Sequence, residues 1–208
     1  MKNTFVISAP IDTYSGYGHN ARSIVKKIIE SKKYDVKVIP QRWGNTPWGF
    51  LEDHKEWSFM KEYIHQGQLT EQPDIWMQIT VPNEFQPIGK YNIGVTAAIE
   101  TTQVAPQWIE GCNRMNLILT SSEHSKSTLV NPIYDRVDKN TQQKVGELKL
   151  NTPVEVIGES VDIELYKPIP SKKSTLDLSY IKENWCYLFV GHWMQGEFGE
   201  DRKNVGLT

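Results

Sequence analysis

The first forty residues switch between two hydrophobic periods. Phe5-Val6-Ile7-Ser8 is an apolar run of strand length, and the loop that follows, Ala9 to Tyr17, is rich in small and turn-forming residues. Ala21, Ile24, Val25, Ile28 and Ile29 then recur at the spacing of one helical face, leaving Arg22, Lys26, Lys27 and Glu30 to the polar face. The helix ends near Lys32-Lys33, where cations suit the carbonyl end of the helix dipole. Val36, Val38 and Ile39 give a second strand, closed by Pro40. Strand, glycine loop, helix and strand make a βαβ unit. The fold class expected is therefore α/β, a Rossmann-like doubly wound parallel sheet with helices on its faces.

From Gln41 to Gln72 the pattern is irregular and aromatic, with Trp43, Trp48, Phe50 and Trp57, and a helix is expected from about Lys55 to His65. Further strands are expected from Ile75 to Ile79, from Tyr91 to Val95, from Leu117 to Leu119 and from Val154 to Ile157, with a turn at Pro82 to Phe85. A short helix follows Pro106, and Ser121-Ser122-Glu123 opens another toward Leu129, where Thr120-x-x-Glu123 matches a capping box. Residues 131–151 are polar and aperiodic, as in a solvent-facing excursion.

The stretch from Gly158 to Ser174 reads as a linker, Tyr187 to Val190 as a new strand, and Arg202 to Leu207 as the start of an amphipathic helix. The expected organisation is a main domain over 1–170, a linker over 171–186 and the beginning of a second domain over 187–208. One strand and half a helix cannot bury their own apolar face. The chain therefore reads as a fragment of a longer protein.

Composition narrows the class further. The 208 residues are 38% hydrophobic and 23% charged, values of a soluble globular chain rather than a disordered or fibrous one. A net charge of -2 supplies no basic field for nucleic acid or an anionic membrane, so no nucleic-acid partner is expected. Cys112 and Cys186 are too few and too far apart for a zinc cluster or a disulfide framework, which fits a reduced, cytoplasmic setting. The apolar run near the N-terminus is shorter than a signal-peptide core and far below the ~20 residues that span a bilayer. No integral membrane segment is expected.

Candidate chemistry gathers at the ends of the strands. Gly16-x-Gly18 lets the backbone approach a ligand closely, and the amides of the following helix favour a phosphate or sugar oxygen; a plain tight turn between strand and helix has the same look. Ala21 stands where the dinucleotide fingerprint has its last glycine, a place that Ala also fills in some such motifs. His19 either hydrogen-bonds a ligand or faces solvent. Glu100 follows the apolar run from Val95 to Ile99, at the carboxyl end where open α/β sheets place their ligands, and serves either there or as a loop cap. Ser122 is either a ligand-facing hydroxyl or a helix cap.

Three features in order resemble one family: Ser15-Gly16-Tyr17-Gly18-His19, then Glu100-Thr101-Thr102 with Pro106 and Trp108, then the stretch from Gly158 through Asp162 and Tyr166 to Pro168. With Phe189-Val190-Gly191 and Arg202-Lys203-Asn204 they resemble the retaining glycosyltransferases of the GT-B fold, family four, the glycosyl transferases group 1. The resemblance spans nearly the whole chain. It implies an N-terminal, acceptor-side Rossmann-like domain whose donor-side C-terminal domain is missing, and a fragment that does not transfer sugar alone.

The substrates so implied are a nucleotide sugar and a sugar or other hydroxyl acceptor, with no metal or other cofactor required. Gly16, Tyr17, Gly18, His19 and Ser122 would contact donor or acceptor, and Glu100 would be catalytic, standing where many members carry a sugar-contacting His. Arg202 and Lys203 match the basic pair that reaches the donor diphosphate; read without the family, they are an exposed helix start. Two rivals stand beside this reading. One is a Rossmann-type oxidoreductase, which lacks an acidic residue after the second strand, where Ile39-Pro40-Gln41 stands. The other is a carbohydrate-binding module using Trp43, Trp48 and Trp57 as stacking platforms.

Overall fold

The computed structural model describes residues 2–138, 140–169 and 177–188. Strand β1 (Thr4–Ala9) is buried along nearly its whole length, as a central strand covered on both faces must be. Helix α1 (Gly16–Glu30) begins earlier than its apolar period does, so Gly16 and Tyr17 form its first turn rather than the end of a loop. It leads to β2 (Asp35–Pro40), which runs parallel to β1. Next come a single turn of helix, α2 (Phe50–Asp53), and a 3₁₀ stretch, Lys55–Tyr63, in place of the one helix expected there.

The chain continues through β3 (Ile75–Ile79), a 3₁₀ turn at Pro82–Glu84, β4 (Tyr91–Thr96), α3 (Pro106–Cys112), β5 (Leu117–Thr120) and α4 (Glu123–Val130). The polar stretch expected to be an excursion is an antiparallel hairpin, β6 (Tyr134–Val137) with β7 (Lys144–Leu148). Its strands are mostly exposed, so no alternation of buried and exposed positions marked them in the sequence. Strand β8 (Val154–Val156) then returns to the sheet.

Six strands in the order β2-β1-β3-β4-β5-β8 form one sheet, with every pairing parallel. This is an α/β, Rossmann-like arrangement. The chain winds outward from β1 in both directions, so the order reverses between β1 and β3, the place where open α/β sheets of this kind bind ligands at the carboxyl ends. Successive side chains of β1 feed opposite faces. Phe5, Ile7 and Ala9 pack with Ala21 and Val25 of α1 and with Met60, whereas Val6 joins Trp76, Ile109, Ile118 and Leu129 on the other face.

Arg22 departs from the polar face assigned to it and is only 3% exposed. Its guanidinium donates to Ile11 O at 2.8 Å and Thr13 O at 3.0 Å and lies 3.4 Å over the Phe50 ring. Carbonyls that turn inward in the loop after β1 therefore have a cationic donor.

The chain divides into two units, Met1–Asp162 and Ile163–Thr208. The first holds every element above. In the second, the described residues 163–169 and 177–188 include no helix or strand, and Tyr187 and Leu188 are exposed. Phe189 and Val190, the rest of the strand expected there, lie outside the described residues. Among the described residues no helix is long and apolar enough to cross a membrane.

Candidate functional site

The loop after β1 is tightly determined from beneath. Ser15 caps α1 by accepting from the Gly18 amide at 2.9 Å, and the Thr13 and Ser15 hydroxyls are 2.8 Å apart. Thr13 Oγ1 donates in turn to Pro10 O at 2.9 Å. Gly18 is buried against this loop: a Cβ built on it would lie 2.5 Å from Thr13 O and 2.8 Å from Pro10 O. Gly16 is the opposite case, exposed, with nothing within 4 Å of an added Cβ. The amides of Gly16 and Tyr17 have no hydrogen-bond partner among the described residues, since the cap serves Gly18 and Ser15 O serves His19. Two unspent donors at the positive end of a 15-residue helix make a place for an anionic or hydroxyl oxygen.

Tyr17 joins this turn to the end of β4. Its hydroxyl accepts from the Ala97 amide at 3.0 Å and shares a 3.1 Å hydrogen bond with Thr96 Oγ1. Burial raises the Tyr17 pKa above the ordinary tyrosine value; those two hydrogen bonds counter the shift, and the carboxylates of Glu100 and Glu159 add to it. The loop after β4 thus meets α1 through a neutral phenol. Ala97 O in turn accepts from Ser125 Oγ at 2.8 Å, and Ser125 belongs to the first turn of α4.

Ser122 is the N-cap of α4, accepting from the Ser125 amide at 3.1 Å. The capping box expected at Thr120 and Glu123 is therefore not used; Thr120 ends β5, and its hydroxyl is buried without a partner among the described residues. Tyr17 and Ser122 are brought into one network by Ala97 and Ser125, residues that sequence reasoning had not singled out. Their link spans 80 and 28 positions, so no local pattern carried it.

Glu100 lies four residues beyond the end of β4, which stops at Thr96 instead of running to Ile99. It is exposed on the same loop, where Ala98 takes a positive φ of 57°, and it lies within electrostatic reach of Tyr17. His19 is exposed on the first turn of α1. Arg202 and Lys203 lie outside the described residues.

On the other flank of the loop after β1, residues 41–49 form a second ledge. Trp43 stacks on Tyr17 with ring centroids 3.9 Å apart, and Arg42 lies 4.8 Å from the centre of the Trp48 ring. Trp57 is not part of it: it packs against the core with Lys26 5.4 Å from its ring. Gln41, at the end of β2, donates through its side-chain amide to Ser8 Oγ.

A groove of about 440 Å³ runs on the α1 face of the sheet, floored by Phe5, Met77 and Ile93 and walled by Ile24, Ile28 and Ile157, with Glu159 and Ser160 at its border. The thiol of Cys112 is buried and pushed up to about 12, so at neutral pH it is no nucleophile. Among the described residues no three His, Cys, Asp or Glu side chains converge to hold a metal. No known family model matches the chain, and neither does any curated protein or solved structure.

Proposed function

We propose that this chain is the acceptor-side part of a nucleotide-sugar-dependent, retaining glycosyltransferase of GT-B architecture. The observation that carries the reading is the Tyr17 junction, which ties the open first turn of α1, the Glu100 loop and the α4 cap together at the carboxyl ends of the parallel strands. Open α/β sheets bind ligands at that place. The amides of Gly16 and Tyr17 receive a phosphate or sugar oxygen, and Glu100 accepts from hydroxyls of the sugar. Tyr17, kept protonated, adds no charge of its own beside a phosphate. His19 borders the entrance, and Ser122 acts through the α4 cap.

In the resembling family the departing diphosphate is met by cations, and Arg202 and Lys203 are assigned that role here. Negative charge grows on the leaving oxygen as the glycosidic bond breaks, so cations in a dry cleft stabilise the barrier top more than the bound donor. The dinucleotide alternative is disfavoured by Gln41, which stands where an acidic residue would meet a ribose and whose side chain is engaged with Ser8.

Amide NMR of the ¹⁵N-labelled chain titrated with UDP-glucose, GDP-mannose and NAD tests the reading. It expects a nucleotide sugar to shift residues 16–19 and 97–100. Shifts there with NAD alone move the chain to the oxidoreductases and remove the reading, and no shift there with any of the three removes the donor contact assigned to the open turn.

A further inference from the structure

The ledge at residues 41–49 leaves part of its aromatic surface exposed. Trp48 is 38% exposed, Trp43 is half-buried with one ring face against Tyr17, and Arg42 is exposed. The end of this loop that carries Trp48 is clamped to the loop after β1. Trp48 forms a strand-like bridge with Thr13, Tyr14 N–H donates to Pro47 O at 3.1 Å, and Gly49 N–H donates to Asp12 O at 3.0 Å. Asp12 also accepts from the Leu51 amide at 2.7 Å. Beneath it all lies the buried Arg22, holding the carbonyls of Ile11 and Thr13. The entropy of ordering this surface is therefore met by the fold before any ligand arrives.

The polar groups of the ledge are also unspent. Arg42 makes no hydrogen bond or ion pair with any described residue, and its guanidinium lies over the Trp48 ring. Neither indole N–H, of Trp43 or of Trp48, donates to a described residue. Five guanidinium donors and two indole donors beside aromatic faces, with no carboxylate engaging them, call for a ligand with an apolar face and many oxygen acceptors at its edge. A pyranose ring has that form, its axial C–H bonds making one face apolar while hydroxyls ring the perimeter. A nucleobase has two apolar faces and few edge acceptors, and it would leave most of these donors unpaired.

We propose that Trp43, Trp48 and Arg42 form a subsite for a pyranose ring of a glycan acceptor, held against the exposed part of Trp48 and hydrogen-bonded at its edge by the Arg42 guanidinium that lies over the Trp48 ring. The assignment rests on the glycosyltransferase reading and narrows its acceptor to a glycan, as opposed to a lipid or peptide hydroxyl. Tyr17 belongs to both sites: its ring carries Trp43 and its hydroxyl carries Ala97. A sugar on the ledge would therefore lie next to the open turn where the donor is placed.

The test is an NMR titration of the indole N–H resonances of the full 208-residue chain with maltose, lactose, cellobiose and α-1,2-mannobiose, each to 50 mM, and with UMP and AMP. At least one disaccharide is expected to shift the Trp43 and Trp48 indoles while leaving Trp57 and Trp76 in place. Trp48→Ala should weaken that disaccharide at least tenfold, Arg42→Ala about threefold, and Trp48→Phe, which keeps an aromatic face, less than threefold. Trp48→Phe and Arg42→Ala guard against a misfolded Trp48→Ala. The subsite is overturned if no disaccharide moves these two indoles, if only the nucleotides do, or if binding survives both Trp48→Ala and Arg42→Ala. Disaccharide binding here with NAD alone shifting residues 16–19 and 97–100 keeps the subsite and removes the transferase reading. A nucleotide-sugar response at those residues with no disaccharide binding keeps the transferase and removes the subsite.

Discussion

The first turn of α1 has an underside and an upper side, and two glycines two residues apart divide them. Gly18 faces the carbonyls of Pro10 and Thr13 with no room for a methyl group, whereas Gly16 faces open space. The same spacing in the sequence thus covers two physical demands. One glycine lets the chain pack against itself; the other leaves two amides uncovered. Stability should reside below and binding above, and substitutions on either side sharpen or break that division.

The largest effect is expected below. Gly18→Ala places a methyl group within 2.5 Å of a backbone oxygen that cannot move without disturbing the cap. A loss of roughly 3 kcal/mol in urea unfolding is expected, at the upper end of overpacking costs. A loss under about 1 kcal/mol would show that the loop adapts and that the underside is not fixed. Arg22→Met comes next. It removes the donors that serve Ile11 O and Thr13 O, and leaving two buried carbonyls unpaired should cost about 2–3 kcal/mol. Equal stability of the variant would mean that water replaces the guanidinium.

Tyr17→Phe acts on the upper side and should cost about 1–2 kcal/mol, because the Ala97 amide loses its partner. It also carries a pH signature. A phenol whose folded pKa is raised binds its proton more tightly folded than unfolded, so native stability falls as pH rises above ~10. Removing the phenol should flatten that alkaline fall relative to the parent chain. An identical pH profile would show that Tyr17 is not shielded from solvent. Ser122→Ala is the mildest: loss of the α4 cap should lower stability by about 1 kcal/mol.

What could be read from the sequence was whatever repeats at short range. The strands β1 to β5 followed from short apolar runs and helix α1 from its helical period, and the parallel order from strand and helix alternating along the chain. The hairpin of β6 and β7 was missed since most of its side chains face water, and the 3₁₀ stretch after α2 because its aromatics follow neither period. Arg22 was assigned to solvent by residue type; only its place beneath the inward-turned carbonyls of Ile11 and Thr13 makes burial favourable. Within the candidate site, Gly16, Gly18 and Ser122 were picked out by turn and cap chemistry, and Tyr17 only through the family resemblance. Ala97 and Ser125 were not, because their part in the network depends on contacts made across the sheet edge and not on anything near them in the chain.

The open turn of α1 is tested most directly by the affinity of a nucleotide sugar for the Gly16→Val chain, measured beside its thermal unfolding. Valine's Cβ at this position has no protein atom within 4 Å outside its own helix and chain neighbours, so Tm should stay within about 2 °C, a shift of under about 1 kcal/mol in a domain this size. Its branched side chain would occupy the space above the Gly16 and Tyr17 amides. Binding of whichever of UDP-glucose or GDP-mannose shifts residues 16–19 should weaken at least tenfold. Unchanged binding at unchanged Tm would contradict the claim that this open turn is where the ligand rests.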